Sequence, residues 1–115
     1  MDITSTTREG IVFLATKGDL DMYAAPEFKE RYSALASRDR HAHFILDLAE
    51  THYVDSSGIG AIFQVFSDVR DRGARFCLCN ARGMVKELLR LSRMSSILPI
   101  ETDLAGAENR IRGQA

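Results

Sequence analysis

Apolar and polar positions along the chain follow two rhythms. Ile11-Val12-Phe13-Leu14-Ala15 is an unbroken apolar run ended by Lys17-Gly18-Asp19, the pattern of a buried strand. The Thr-rich segment from Ile3 to Thr7 is expected to pair with it as an antiparallel edge, with Glu9-Gly10 as the hairpin turn. Phe44-Ile45-Leu46-Asp47-Leu48 is almost wholly apolar, as suits a strand covered on both faces at the centre of a sheet. Arg75 to Cys79 reads as a further strand, and Pro99-Ile100 as a short final strand or a connection.

Between these runs the apolar residues recur every three or four positions. After an acidic turn, Asp19-Leu20-Asp21, Pro26 fits an early helical position, and Phe28, Tyr32 and Leu35 share one face of a helix running from about Ala24 to Ala36. Ser37 to His41 is a polar loop. Ile59, Ile62, Phe63, Phe66 and Val69 mark the clearest helix, stopped by Gly73, with the Phe63 and Phe66 pair in the core. Val85, Leu88, Leu89 and Leu91 mark another, and Leu104 to Ile111 a last one.

Strands that alternate with helices imply right-handed crossovers and a largely parallel sheet, which the N-terminal hairpin makes mixed. The expectation is a single α/β domain over residues 1–115. Its sheet has four to five strands, with about four helices packed mainly on one face.

Charge narrows the function classes. Fifteen Lys and Arg against sixteen Asp and Glu leave a net charge of −1, too little to attract a phosphate backbone or an anionic membrane. No apolar run approaches the roughly 20 residues needed to cross a bilayer, and Met1-Asp2 opens no signal-peptide pattern. Nucleic acid and membrane are therefore not expected partners, and a cytoplasmic location is. Cys77 and Cys79 alternate along a strand and share a face; without further ligands at metal spacing they read as buried structural thiols, and no metal or cofactor is expected. His41, His43 and His52 read as surface or loop residues.

The chemistry concentrates in Asp55-Ser56-Ser57-Gly58, where a strand gives way to a helix. In its plainest role, Asp55 or Ser56 caps that helix, a contribution of about 1 kcal/mol. Loops at the carboxyl ends of strands are also where partners bind in α/β folds. A phosphate on Ser56 would add about −1.5 to −2 charges at a helix N-terminus, where the helix dipole tolerates anions, while Asp55 beside it would deepen a negative patch. The domain would survive and an interface would not. A serine hydrolase would need a nucleophile elbow, which is absent, and Gly58-Ile59-Gly60 is neither a P-loop nor a complete dinucleotide fingerprint. The chain is expected to be a binding module and not an enzyme.

Gly18-Asp19-Leu20-Asp21, Phe44 to Leu48 and Tyr53-Val54-Asp55-Ser56-Ser57-Gly58-Ile59-Gly60 together resemble the anti-sigma factor antagonists of the STAS domain family. Val85 to Leu89 and Met94-Ser95 extend the likeness over nearly the whole chain. The resemblance implies a STAS fold and partner switching. The dephosphorylated protein binds an anti-sigma factor that is also a serine kinase and frees the sigma factor; phosphorylation of Ser56 reverses this, and a serine phosphatase resets it. The expected docking surface comprises Asp21, Met22, Tyr23, Asp55, Ser56, Ser57, Gly58 and Ile59. The competing expectation is a STAS scaffold subunit of a transport or sensory complex whose Ser56 is never phosphorylated. Ser96 departs from the family, where Gly often follows a Met-Ser pair, as a left-handed turn there would favour.

Overall fold

A computed structural model describes residues 1–113. Strands β1 (Asp2–Arg8) and β2 (Ile11–Leu20) form the hairpin, followed by α1 (Ala25–Arg38), β3 (His43–Val54), α2 (Ser56–Asp71), β4 (Phe76–Cys79), α3 (Gly83–Leu91), β5 (Ile100–Glu101) and α4 (Leu104–Ile111). Spatial order equals chain order, β1-β2-β3-β4-β5, with β1 antiparallel to β2 and every later pair parallel. Glu9 and Gly10 both have positive φ, 52° and 79°, as the tight turn of a two-residue hairpin requires.

Because β2, β3 and β4 advance across the sheet in one direction, crossovers of one hand leave their helices on one face. The buried residues agree. Phe28, Tyr32 and Leu35 of α1, Ile62, Val65 and Val69 of α2, and Val85 and Leu89 of α3 meet Val12, Leu14, Phe44, Leu46 and Leu78 in the main core. Among the described residues the other face is covered by α4 alone, whose Ala107 and Ile111 pack on Ile11, Ile45, Cys77 and Cys79. Burial pushes the two free thiols up to about 11 and about 12, so they stay protonated and inert. Phe63 and Phe66 are only partly buried, packed against the core with their rings edge to face and centroids 5.9 Å apart. Between α1 and α2, the Tyr32 hydroxyl donates to Asp68, which also accepts from Arg72 Nε at 2.8 Å, while Arg72 reaches the carbonyl of Ala36 at 3.1 Å.

Two boundaries differ from the sequence expectation, and both bear on function. Lys17-Gly18-Asp19 does not end β2, which continues to Leu20; β3 likewise runs past Leu48 to Val54. The register between them shifts after Ala15 and again after Gly18, where φ is +103°, so β3 absorbs extra residues and Leu20 still ends opposite Val54. Since β4 pairs with β3 only over Phe44–Asp47 and β1 ends beside Lys17, β2 and β3 run on past the rest of the sheet and are paired only with each other from Gly18 to Leu20 and from Thr51 to Val54. With β4 absent there, the polar run Ala49-Glu50-Thr51-His52 is tolerated.

Among the described residues one polar pair, Thr16 and Thr51, is buried where this extension begins. Thr51 Oγ1 donates to the Thr16 carbonyl at 3.0 Å and lies 2.6 Å from Thr16 Oγ1. With its own hydrogen thus committed, Thr51 must accept from Thr16. Thr16→Val therefore removes a donor and leaves Thr51 with its carbonyl partner, whereas Thr51→Val strands the buried Thr16 hydroxyl. Urea unfolding is expected to show the larger loss for Thr51→Val, about 1–3 kcal/mol against about 1 kcal/mol for Thr16→Val.

The expected left-handed turn at Ser96 is found elsewhere. Ser96 lies in a 3-10 turn, Met94–Ser96, and the residue with positive φ is Arg93 at 61°. Reversal after α3 occurs before the Met-Ser pair, so Ser96 needs no glycine.

Candidate functional site

At the tip of the β2–β3 extension two turns lie side by side. Asp21 follows β2 and organises the first: its Oδ1 accepts from the backbone N–H of Tyr23 and of Ala24, both at 3.0 Å, and its carbonyl accepts from Ala25 at 2.8 Å. This Asx-type turn leads into α1 and throws two large apolar side chains outward, Met22 at 60% exposure and Tyr23 at 84%. Ala24, the next residue, turns inward and is buried.

Asp55 follows β3 and organises the second turn. Its Oδ1 accepts from Gly58 N–H at 2.9 Å, making Asp55 rather than either serine the cap of α2. Its Oδ2 accepts from Met22 N–H at 3.0 Å, across 33 positions of chain. One carboxylate thus caps the helix and fastens the Met22-Tyr23 turn to it, and the backbone N–H of Asp55 completes the junction on the Leu20 carbonyl at 3.3 Å.

Ser56 and Ser57 occupy the first two positions of α2, both exposed. Because Asp55 supplies the cap, the Ser56 hydroxyl is not required for it, and Ser56 is exposed directly after the carboxylate that fastens the Met22-Tyr23 turn. The geometry brings together Asp21, Met22, Tyr23, Asp55, Ser56 and Ser57.

Gly58 and Ile59, expected on the same surface, are instead buried. Ile59 is part of the main core, and a Cβ on Gly58 would lie 2.0 Å from the Leu20 carbonyl oxygen and 2.8 Å from Val54 Cγ1. Their contribution is to let α2 settle on the ends of β2 and β3; neither offers a side chain to a partner. Tyr53, half exposed near the end of β3, is a large side chain near the tip that was not among the expected docking residues; its place two residues before Asp55 was the available signal.

The histidines take no part. His41 and His52 are exposed, and His43 lies within β3 and not in a loop, its Nδ1 accepting from Arg75 N–H at 2.9 Å. Burial and the nearby Arg75 and Arg112 hold its pKa below the ordinary value, consistent with a neutral acceptor. Among the described residues no cluster of His, Cys, Asp and Glu is arranged to hold a metal ion, and no helix is long and apolar enough to cross a membrane.

A model of the STAS domain matches residues 2–107, almost the whole chain. The chain belongs to the STAS domain family. An anti-sigma F factor antagonist of Paenibacillus polymyxa is 24% identical over 100 residues, covering 87% of this chain and 86% of that protein. Among solved structures, an anti-sigma factor antagonist from Mycobacterium paratuberculosis superposes with a TM-score of 0.86 at 19% identity, over 96% of this chain and 93% of that one. The Bacillus cell fate determinant SpoIIAA in its phosphorylated form gives 0.71 at 17% identity, over 96% and 99%. The mixed five-stranded sheet with its N-terminal hairpin is thus the STAS fold. The two turns joined by Asp55 lie on the segments that carried the resemblance in sequence.

Proposed function

We propose that this protein is an anti-sigma factor antagonist whose docking surface is the pair of turns joined by Asp55, switched off by phosphorylation of Ser56. The observation that carries the proposal is the shared carboxylate. Asp55 holds an exposed apolar turn, Met22-Tyr23, against an exposed serine at a helix N-terminus, so a partner seated on the first cannot avoid the second. Exposed Met and Tyr are suited to anchoring a protein interface. The partner is a serine-kinase anti-sigma factor that both binds and modifies this face. It brings the ATP and magnesium, and a separate serine phosphatase reverses the modification. The names of the relatives, and the phosphorylated form of SpoIIAA among them, support this reading.

The decisive experiment is intact-mass and peptide mapping of the protein from its native cells, and again after incubation with the candidate kinase and ATP. One added phosphate on Ser56 is expected, lost in Ser56→Ala, and Ser56→Ala should retain the kinase in a pull-down. Tyr23→Asp should weaken that capture while the thermal midpoint stays unchanged. Phosphate absent under both conditions would turn the assignment to a scaffold subunit of a transport or sensory complex.

A further inference from the structure

The hairpin places β1 at one edge of the sheet, with no strand among the described residues paired to its outer side. Natural sheets blunt such an edge with lysine, proline or a bulge. β1 has none of these: Asp-Ile-Thr-Ser-Thr-Thr-Arg pairs with β2 in unbroken register from Asp2 to Arg8. Its only charges are at its two ends, and they are opposite in sign.

The turn geometry tells which backbone groups are free. A two-residue hairpin loop closes on a doubly hydrogen-bonded pair, here Arg8 with Ile11, and hydrogen-bonded pairs then alternate along an antiparallel ladder. Asp2, Thr4, Thr6 and Arg8 spend their N–H and C=O groups on β2. Ile3, Ser5 and Thr7 direct theirs outward.

We propose that the β1 edge is a self-pairing surface, through which a second copy of this chain adds its own β1 antiparallel to the first and makes one continuous sheet. A two-fold axis through Ser5 sets Ser5 opposite Ser5 of the second copy, and Ile3 opposite Thr7. All three outward-facing residues then form hydrogen-bonded pairs at once. The same register sets Asp2 opposite Arg8 at both ends and Thr4 opposite Thr6, in the non-hydrogen-bonded sites where side chains approach closest. Both halves of the complementarity, backbone and charge, select the same alignment. Asp2, Thr4, Thr6, Thr7 and Arg8 are exposed, and Arg8 is held over the Phe13 ring and by Glu108 at 2.7 Å while its side chain remains 54% exposed. Since Asp2 lies beside Lys17 toward the docking tip, the two-fold axis carries the two Ser56 turns to opposite ends of the joined sheet, and each copy keeps its partner surface free.

An interface of one strand pair is small, so association is expected in the micromolar to millimolar range. The test is sedimentation velocity of the full chain up to about 1 mM, a concentration at which even a weak pair is populated. Mass should rise toward a dimer with concentration. Ser5→Pro removes an outward donor and spares the β2 ladder, so it should stay monomeric with an unchanged far-ultraviolet spectrum. Asp2→Lys and Arg8→Glu should each weaken the dimer by roughly tenfold, and an equimolar mixture of the two should recover it, because Lys then faces Glu at one end and Asp faces Arg at the other. A wild-type protein monomeric throughout overturns the proposal. So does a dimer that Ser5→Pro leaves intact, or, should that variant not fold, one indifferent to both charge changes.

Discussion

Replacing Gly58 by alanine is expected to be among the most damaging single-methyl additions this protein can suffer. The new Cβ would stand 2.0 Å from the Leu20 carbonyl oxygen and 3.0 Å from its carbon, where both neighbours are backbone, and 2.8 Å from Val54 Cγ1. A flexible side chain could turn aside; the end of β2 cannot, because the Leu20 carbonyl also receives Asp55 N–H and Leu20 itself is fully buried. Relief requires α2 to lift from the strand ends. That movement would pull Ile59 and Ile62 from the core and stretch the Asp55 bonds to Gly58 and Met22. Overpacking costs about 1–3 kcal/mol where side chains absorb it, and more is expected here, about 3 kcal/mol or above. Against the about 5–15 kcal/mol of a typical domain, this is a large fraction. Chemical denaturation should show it directly, and partner binding should fall along with stability. By contrast, a Cβ at Gly60, one turn position further out, meets nothing within 4 Å, so Gly60→Ala is the matched control and should be neutral or mildly stabilising.

The second large effect concerns binding alone. Ser56→Asp places a permanent carboxylate at the first position of α2, where the helix dipole favours it, so the thermal midpoint should hold or rise slightly. The same charge joins Asp55 and Asp21 at the edge of an apolar face, and a partner must now bury or oppose it. Like-charge juxtaposition or an unpaired charge at an interface costs several kcal/mol, so affinity for the kinase should drop by about a hundredfold or more. Titration calorimetry of wild type, Ser56→Ala and Ser56→Asp against the same partner separates the cases. Loss of binding only in Ser56→Asp identifies charge as the switch. Equal loss in both variants would instead make the hydroxyl itself a contact, and no loss in either would remove Ser56 from the interface.

Much of the architecture was legible from side-chain rhythm. The unbroken apolar runs at Ile11 to Ala15 and Phe44 to Leu48 lie in β2 and β3, and the three-and-four spacing of Ile59 to Val69 is the buried stripe of α2. The rest was hidden for identifiable reasons. β2 and β3 continue through polar, bulged sequence because two strands with one covered face do not need a continuous apolar run, and Lys17-Gly18-Asp19 imitates a turn while serving as an irregular stretch of ladder. Periodicity revealed that α4 has an apolar face but not which side of the sheet it covers. In the candidate site, exposure of Met22, Tyr23 and Ser56 could be anticipated, whereas the Asp55 to Met22 bond joins residues with no sequence relation. The burial of Gly58 and Ile59 was missed because a partner-facing motif was read as a unit, when a helix start alternates between solvent and core within a single turn.

That alternation divides Asp55-Ser56-Ser57-Gly58 into two kinds of position. Asp55 and Gly58 are demanded by the domain's own construction, one as cap and clamp, the other as the gap into which the end of β2 fits. Ser56 and Ser57 answer to nothing inside the molecule. In a lineage that lost its kinase, the outer two residues would still be held in place by folding while the inner two were free to drift. Persistence of the aspartate and glycine therefore reports only that the scaffold endures; under the proposed switch, its memory would be written in the hydroxyls between them.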